Sequence, residues 1–326
     1  MSRLIFVPQY PAKMRYQETW FTEFPKNMKK YFDEVIVLGE SHLNNMRDVD
    51  RLSEKHMFSP IQQAISFESI QVNEFYNMKI YDDDDVLWVS DISFPGFFCN
   101  ILYHKPVKHA YCYCHATSRN YLDYFEPFRF SKFDCESGHA KLFKRVFIGS
   151  VYHGCKLKWE NTMVVGLPFP PYETFKEEKL YNIISVARVN SQKVSLHIEE
   201  QVEKEFGPIV RKECNSWEEY YKFLSQGKVL LISSKEDTFN YSIMEAVMNN
   251  TVVLAPNKLC FPELLPKEYL YDSYEELELK IRRALNYPED YKPLDKLLCN
   301  DMCEHFYENI AEVMKDGFKF QNPVMI

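Results

Sequence analysis

Five short apolar runs, at 4–7, 34–38, 86–89, 107–113 and 145–148, are each bounded by turn residues and separated by longer stretches of helical period. Runs of strand length joined by segments of helix length predict β-α-β units and a parallel sheet with helices on both faces. Between the first two, residues 18–24 carry Trp20, Phe21 and Phe24 at helical spacing. After 161–165 the chain reads Gly166-Leu-Pro-Phe-Pro-Pro-Tyr172, and three prolines so close together can continue neither a helix nor a central strand. A second series follows, with strands expected at 182–186, 209–212, 228–232 and 251–255. Helices are expected at 191–206, 216–224, 241–249 and 274–285.

A chain of 326 residues exceeds the size at which one hydrophobic core usually stops growing, about 250–300 residues, so two domains are expected. The reading is α/β, with two doubly wound, Rossmann-like domains facing each other across a cleft. The first covers 1–166, a linker 167–180, the second 181–292, and a final helical segment 293–326.

Composition removes several functional classes. No apolar run approaches the ~20 residues of a membrane span, and the N-terminus reads as a first strand rather than a leader, so a cytoplasmic protein is expected. Nine cysteines without a Cys-x-x-Cys pair fit reduced thiols, not a disulfide framework or a zinc site. A net charge of −8 disfavours nucleic acid as a general partner, while a local basic groove would still admit it. Oligomeric state cannot be read.

Two segments carry candidate chemistry. In the first, Arg188 and Lys193 follow a predicted strand, at the end where open α/β sheets bind ligands. Cations aimed at a departing diphosphate stabilise a transition state more than a ground state, although a solvated loop would hold the same residues. In the second, Asp237 lies in a loop and Glu245 one turn into a helix whose start is Asn240, Tyr241 and Ser242. A helix N-terminus attracts anions, and carboxylates accept hydrogen bonds from sugar hydroxyls. The plainer alternative is that Asp237 caps the helix and Glu245 pairs with a cation.

Taken in order, Ser-Val-Ala-Arg188-x4-Lys193, then Asp237-x7-Glu245 leading into Thr-Val-Val-Leu-Ala-Pro256, then Phe261-Pro-Glu263, resemble the C-terminal half of the family-4 retaining GT-B glycosyltransferases. The resemblance covers about residues 180–285, and 145–170 more loosely. It implies the GT-B fold, with the last helix crossing back to the first domain. It also implies a nucleotide-sugar donor, most often a UDP-sugar, and transfer with retention to a hydroxylated acceptor without a metal or other cofactor. Carried over residue by residue, Arg188 and Lys193 would hold the diphosphate, Glu245 the ribose, and Asp237 the transferred sugar. Asn240, Tyr241 and Ser242 would line the donor site; His115 stands where relatives have a histidine near the sugar.

This chain departs from the family in three ways. Asp237 replaces a more usual Glu, Asn240 replaces a Gly, and the first loop, 7–18, has no glycine at all. Acceptor contacts therefore do not transfer, leaving Asp91 and Arg15 as acceptor-side candidates. The acceptor could be a glycan, a glycolipid or a hydroxymethylated base in DNA. A catalytically idle sugar-nucleotide-binding protein, or an enzyme that hydrolyses or isomerises its donor, are the rivals.

Three further features read as structural. The run 82–85 contains Asp83-x-Asp85, the metal-binding pattern of another glycosyltransferase fold, but it precedes a strand and reads as a solvated acidic turn. His153 and the aromatic residues interleaved along 121–133 read as structural rather than catalytic. Leu298, Met302, Phe306, Ile310 and Val313 form one apolar helical stripe.

Overall fold

The computed structural model describes residues 2–11, 16–41, 58–81, 84–122, 126–291, 298 and 300–316. In the first half, β1 (Arg3–Val7), α1 (Tyr16–Met28), β2 (Glu34–Val37), α2 (Phe58–Asn77), β3 (Asp85–Val89) and α3 (Phe98–Ile101) come first. They lead to β4 (His109–Cys114), α4 (Arg129–Ala140), β5 (Arg145–Ile148), α5 (Val151–Leu157) and β6 (Thr162–Val164). The six strands form one parallel sheet in the order β2-β1-β3-β4-β5-β6.

The second half runs β7 (Tyr181–Ile184), α6 (Leu196–Phe206), α7 (Trp217–Gln226), β8 (Gly227–Leu231), α8 (Tyr241–Met248) and β9 (Val252–Pro256). It continues with α9 (Phe261–Leu264), β10 (Leu270–Tyr271) and α10 (Tyr274–Asn286), and its sheet is parallel in the order β10-β9-β8-β7. Two short helices, α11 (Asn300–Glu304) and α12 (Phe306–Asp316), follow.

Both faces of each sheet are buried, which explains the continuous apolar runs. In β1 and β3, Ile5, Val7, Leu87 and Val89 point to one cluster while Leu4, Phe6, Val86 and Trp88 point to the other. A stack of rings crosses that second face: Phe6–Phe24, Phe24–Trp88 and Trp88–Phe147 have centroids 4.8, 4.7 and 5.3 Å apart. Each fully buried ring of this kind is worth roughly 1.5–3 kcal/mol, and the pairing adds to it.

Four expectations need correction. The run 209–212 is not a strand; it contributes one bridge, Val210 to Ile184, because only Ile209 and Val210 are apolar before charged residues take over. The helix expected from 191 begins at Leu196, since the Asn190 side chain accepts from the Gln192 and Lys193 N–H groups and makes a turn instead. Asp85 is no solvated turn residue: it is fully buried and takes the Arg3 guanidinium at 2.7 and 2.6 Å across the β1–β3 register pair. Asp82 and Asp83 lie outside the described residues, and no group of His, Cys, Asp and Glu suited to a metal occurs among the described ones.

The C-terminal stripe is two helices rather than one. Cys303 on α11 is buried in the second-half core, whereas Phe306, Ile310, Ala311 and Met314 on α12 are buried against Leu4, Trp20 and Phe24 of the first half. Leu298 is exposed. No described helix is long and apolar enough to cross a membrane.

Candidate active site

The loops that leave β4, β5, β7 and β8 at their carboxyl ends enclose a cavity of ≈400 Å³ between the halves. Arg188, Lys193, Asp237, Asn240, Tyr241 and Ser242 all line it, and so does His115.

The second-half wall is charged. Lys193, held in place by the Asn190 turn, puts its Nζ 3.0 Å from Asp237 Oδ1 and donates to the Glu236 carbonyl at 3.1 Å. Asp237 Oδ2 accepts from Asn240 Nδ2 at 2.8 Å, and Ser242 Oγ donates to Asn240 Oδ1. Asn240 thus spends its side chain on its neighbours, and no side chain caps the first turn of α8. An uncapped helix N-terminus is a place where backbone N–H groups can receive an anion. Arg188 is exposed at the cavity edge and has no side-chain partner among the described residues. Both oxygens of Asp237, the residue expected to touch the transferred sugar, already have a partner, and each keeps further acceptor capacity.

The first-half wall is neutral. His115 is packed among the rings of Tyr16, Trp20 and Tyr113, with centroids 4.5, 4.7 and 4.5 Å away. Burial lowers its pKa to about 3, and the ring bonds the Ser90 backbone while Nε2 has no partner. An uncharged ring whose other nitrogen is engaged by a carbonyl leaves Nε2 as a bare acceptor. His153, also lining the cavity, is buried with its pKa lowered to about 3 by desolvation and lies 4.0 Å from Cys114 Sγ. Gly149 completes this wall; a Cβ there would meet the Phe239 side chain at 3.0 Å and the Tyr113 hydroxyl at 3.1 Å, so a side chain would require those neighbours to shift.

A second chamber of ≈270 Å³ shares Tyr16, Val186, Arg188, Tyr220 and Tyr241 with the first and adds Trp217 and Glu245. Glu245 pairs with no cation among the described residues. It accepts from Tyr220 Oη at 2.7 Å and Tyr221 Oη at 3.4 Å, and burial raises its pKa to about 7 against those two hydrogen bonds. The first half closes over this chamber: Trp217 Nε1 donates to Glu18 at 3.2 Å, Thr19 and Tyr172 hydroxyls lie 3.0 Å apart, and Trp20 Nε1 donates to Tyr241 Oη at 3.0 Å.

Of the acceptor-side candidates, Arg15 lies outside the described residues, and Asp91 is buried away from the cavity lining. Asp91 accepts from Gln9 Nε2 at 2.6 Å and the Ser93 N–H at 3.0 Å, and desolvation raises its pKa. Of the aromatic residues in 121–133, Tyr121, Phe128 and Phe130 are 53%, 63% and 73% exposed. Sequence reasoning missed Glu236, Lys156 and Tyr152, which no motif marks. It quoted Glu263 without a role; that carboxylate accepts from the Val151 and Tyr152 N–H groups, both at 2.6 Å, and so caps α5 from across the cleft.

No family model matches the chain. Over 75 residues it is 32% identical to a tRNA-queuosine alpha-mannosyltransferase of Drosophila melanogaster, a stretch covering 23% of this chain and 20% of that protein. The match thus spans about a fifth of that relative's length. Among solved structures, HepE of Anabaena in complex with UDP-glucose superposes with a TM-score of 0.64 at 12% identity, covering 97% of this chain and 99% of HepE. Sucrose-phosphate synthase of Thermosynechococcus elongatus gives 0.63 at 12% identity, with 97% and 98% covered. A trehalose-6-phosphate structure from E. coli bound with UDP-2-fluoro glucose gives 0.58 at 12% identity, also with 97% and 98% covered. At such coverage these likenesses fix the architecture: the chain has the GT-B fold of glycosyltransferases.

Proposed function

We propose that this GT-B chain is a retaining glycosyltransferase that moves a sugar from a UDP-sugar to an acceptor hydroxyl. One observation carries the reading: one cavity between the halves gathers an arginine with no side-chain partner among the described residues, a lysine and an uncapped helix N-terminus. Arg188, Lys193 and the first turn of α8 would hold the diphosphate and stabilise the charge that grows as it leaves. The aromatic chamber would take the nucleoside, with Glu245 on the ribose hydroxyls, and His115 Nε2 would accept from a hydroxyl of the transferred sugar.

Retention is favoured by the absence of a free base among the described lining residues. Glu236 and Asp237 are each tied to a lysine, and a histidine with a pKa of about 3 is too weak a base. The acceptor proton would pass to an oxygen of the departing diphosphate. The acceptor oxygen then bonds the anomeric carbon on the face from which the phosphate oxygen leaves. Cations from side chains make a metal unnecessary in this scheme. The Drosophila relative's name favours a hydroxyl on a modified nucleoside as the acceptor, ahead of a glycan or lipid.

A thermal-shift series of nucleoside diphosphates and their sugars in excess chelator tests the proposal. A ligand at 100 times its Kd stabilises by about 2.7 kcal/mol, and UDP is expected to do so. No shift with any nucleoside diphosphate would remove the donor assignment; activity that chelator abolishes and metal restores would remove the metal-free scheme.

A further inference from the structure

The loop after β8 alternates like a strand between the two halves. Asp237 faces its own half, holding Lys193 and Asn240. The residues on either side face the first half: Thr238 Oγ1 donates to the His115 carbonyl at 2.8 Å, and the Thr238 carbonyl accepts from Ser150 Oγ at 2.6 Å. Glu236, only 4% exposed, accepts from three first-half donors. These are Lys156 Nζ at 2.7 Å, the Tyr121 N–H at 3.1 Å and Tyr152 Oη at 3.2 Å. Lys156 also donates to Asn120 Oδ1 at 3.0 Å, and Asn120 lines the cavity.

We infer that Glu236 is a positioning residue: gripped by Lys156, it fixes the donor loop to the first half, so that closing the cleft and aligning Lys193 are one event. The link is short. Lys193 Nζ donates to the Glu236 carbonyl, so a shift of the Glu236 side chain moves an atom that orients the lysine. A buried carboxylate with three donors is rigid, and losing one charged partner leaves the other desolvated and unpaired. Misplacing a reacting group by about 1 Å can cost on the order of 100-fold in rate. This inference rests on the proposed transferase reading for its kinetic consequence and on the geometry alone for closure.

The test compares Glu236→Gln, Lys156→Met and Lys156→Arg in the full chain. Turnover, UDP affinity by calorimetry and the radius of gyration by solution scattering are measured for each. Glu236→Gln and Lys156→Met are expected to lower kcat by ~10- to 100-fold. UDP Kd should stay within about threefold and the scattering should show a more open particle, while Lys156→Arg, which keeps the charge, recovers most of the turnover. A merely structural pair would lower thermal stability without changing kcat in the folded protein, and that result overturns the inference. A UDP Kd that rises in step with the loss of kcat also overturns it, because Glu236 would then touch the donor. Should Glu236→Gln fail to fold, Lys156→Met, which keeps the apolar length of a side chain only 16% exposed, decides. If wild type binds no UDP the donor reading fails separately, and scattering alone then judges the latch: an unchanged particle in Lys156→Met refutes it.

Discussion

The two walls of the cleft are built from different chemistry. The second-half wall carries Arg188, Lys193, Glu236 and Asp237, whereas the first-half wall presents His115, His153, Tyr113 and Gly149, with both histidine pKa values lowered to about 3. One wall can meet an anion; the other can only shape a neutral ligand and accept or donate single hydrogen bonds. The contrast teaches that charge in this site is rationed: of the second-wall cations named here, Lys193 arrives already paired to Asp237, and Arg188 has no partner among the described residues.

The largest effect should come from removing that unpaired cation. Arg188→Ala is expected to lower kcat/KM by 100- to 1000-fold, about 3–4 kcal/mol of transition-state stabilisation, with unchanged thermal unfolding because the side chain is exposed. Near wild-type kinetics in a folded variant would mean that the charged wall does not face the leaving group.

Next in size is a pH effect from Glu245, which sits behind the charged wall. Its folded pKa, raised to about 7 by burial, exceeds the ordinary carboxyl value. The stability this group contributes is therefore complete below about pH 4.5 and is lost as pH rises through 7, by on the order of 3 kcal/mol at most. Glu245→Gln cannot ionise, so its stability relative to wild type should climb across that window and level off above it. Parallel denaturation curves from pH 4.5 to 8 would show that the carboxyl is not desolvated.

The smallest effect belongs to the neutral wall. His115→Ala should lower kcat/KM by about 10-fold, the worth of one hydrogen bond of ~1.4 kcal/mol. Because the ring stays uncharged above about pH 4, the wild-type pH profile should show no limb near 6.5 that this variant abolishes. Loss of such a limb on substitution would establish that His115 titrates and that the wall is not neutral.

Most of the architecture was readable because both sheets are parallel and covered on two faces, which forces continuous apolar runs such as Leu4–Val7 and Val229–Leu231 into the sequence. The positions of Arg188, Lys193, Asp237 and Glu245 were readable for a related reason: each lies in a loop or helix directly after such a strand, so local spacing brings them to one edge. Local spacing also limits what can be known. That Asp237 is tied to Lys193 and Asn240, that tyrosine hydroxyls hold Glu245, and that Asp85 is buried under Arg3 all depend on side chains meeting across separate elements. Glu236 is the clearest case. Its donors lie 80 to 115 residues away in sequence, at Lys156, Tyr152 and Tyr121, and nothing within the chain's periodicity encodes a contact at that distance. Sequence determined the elements and the side of each sheet on which chemistry could sit; the packing of one half on the other decided which charges are paired, which are free, and which histidines stay neutral, because pairing and desolvation are properties of the assembled interior.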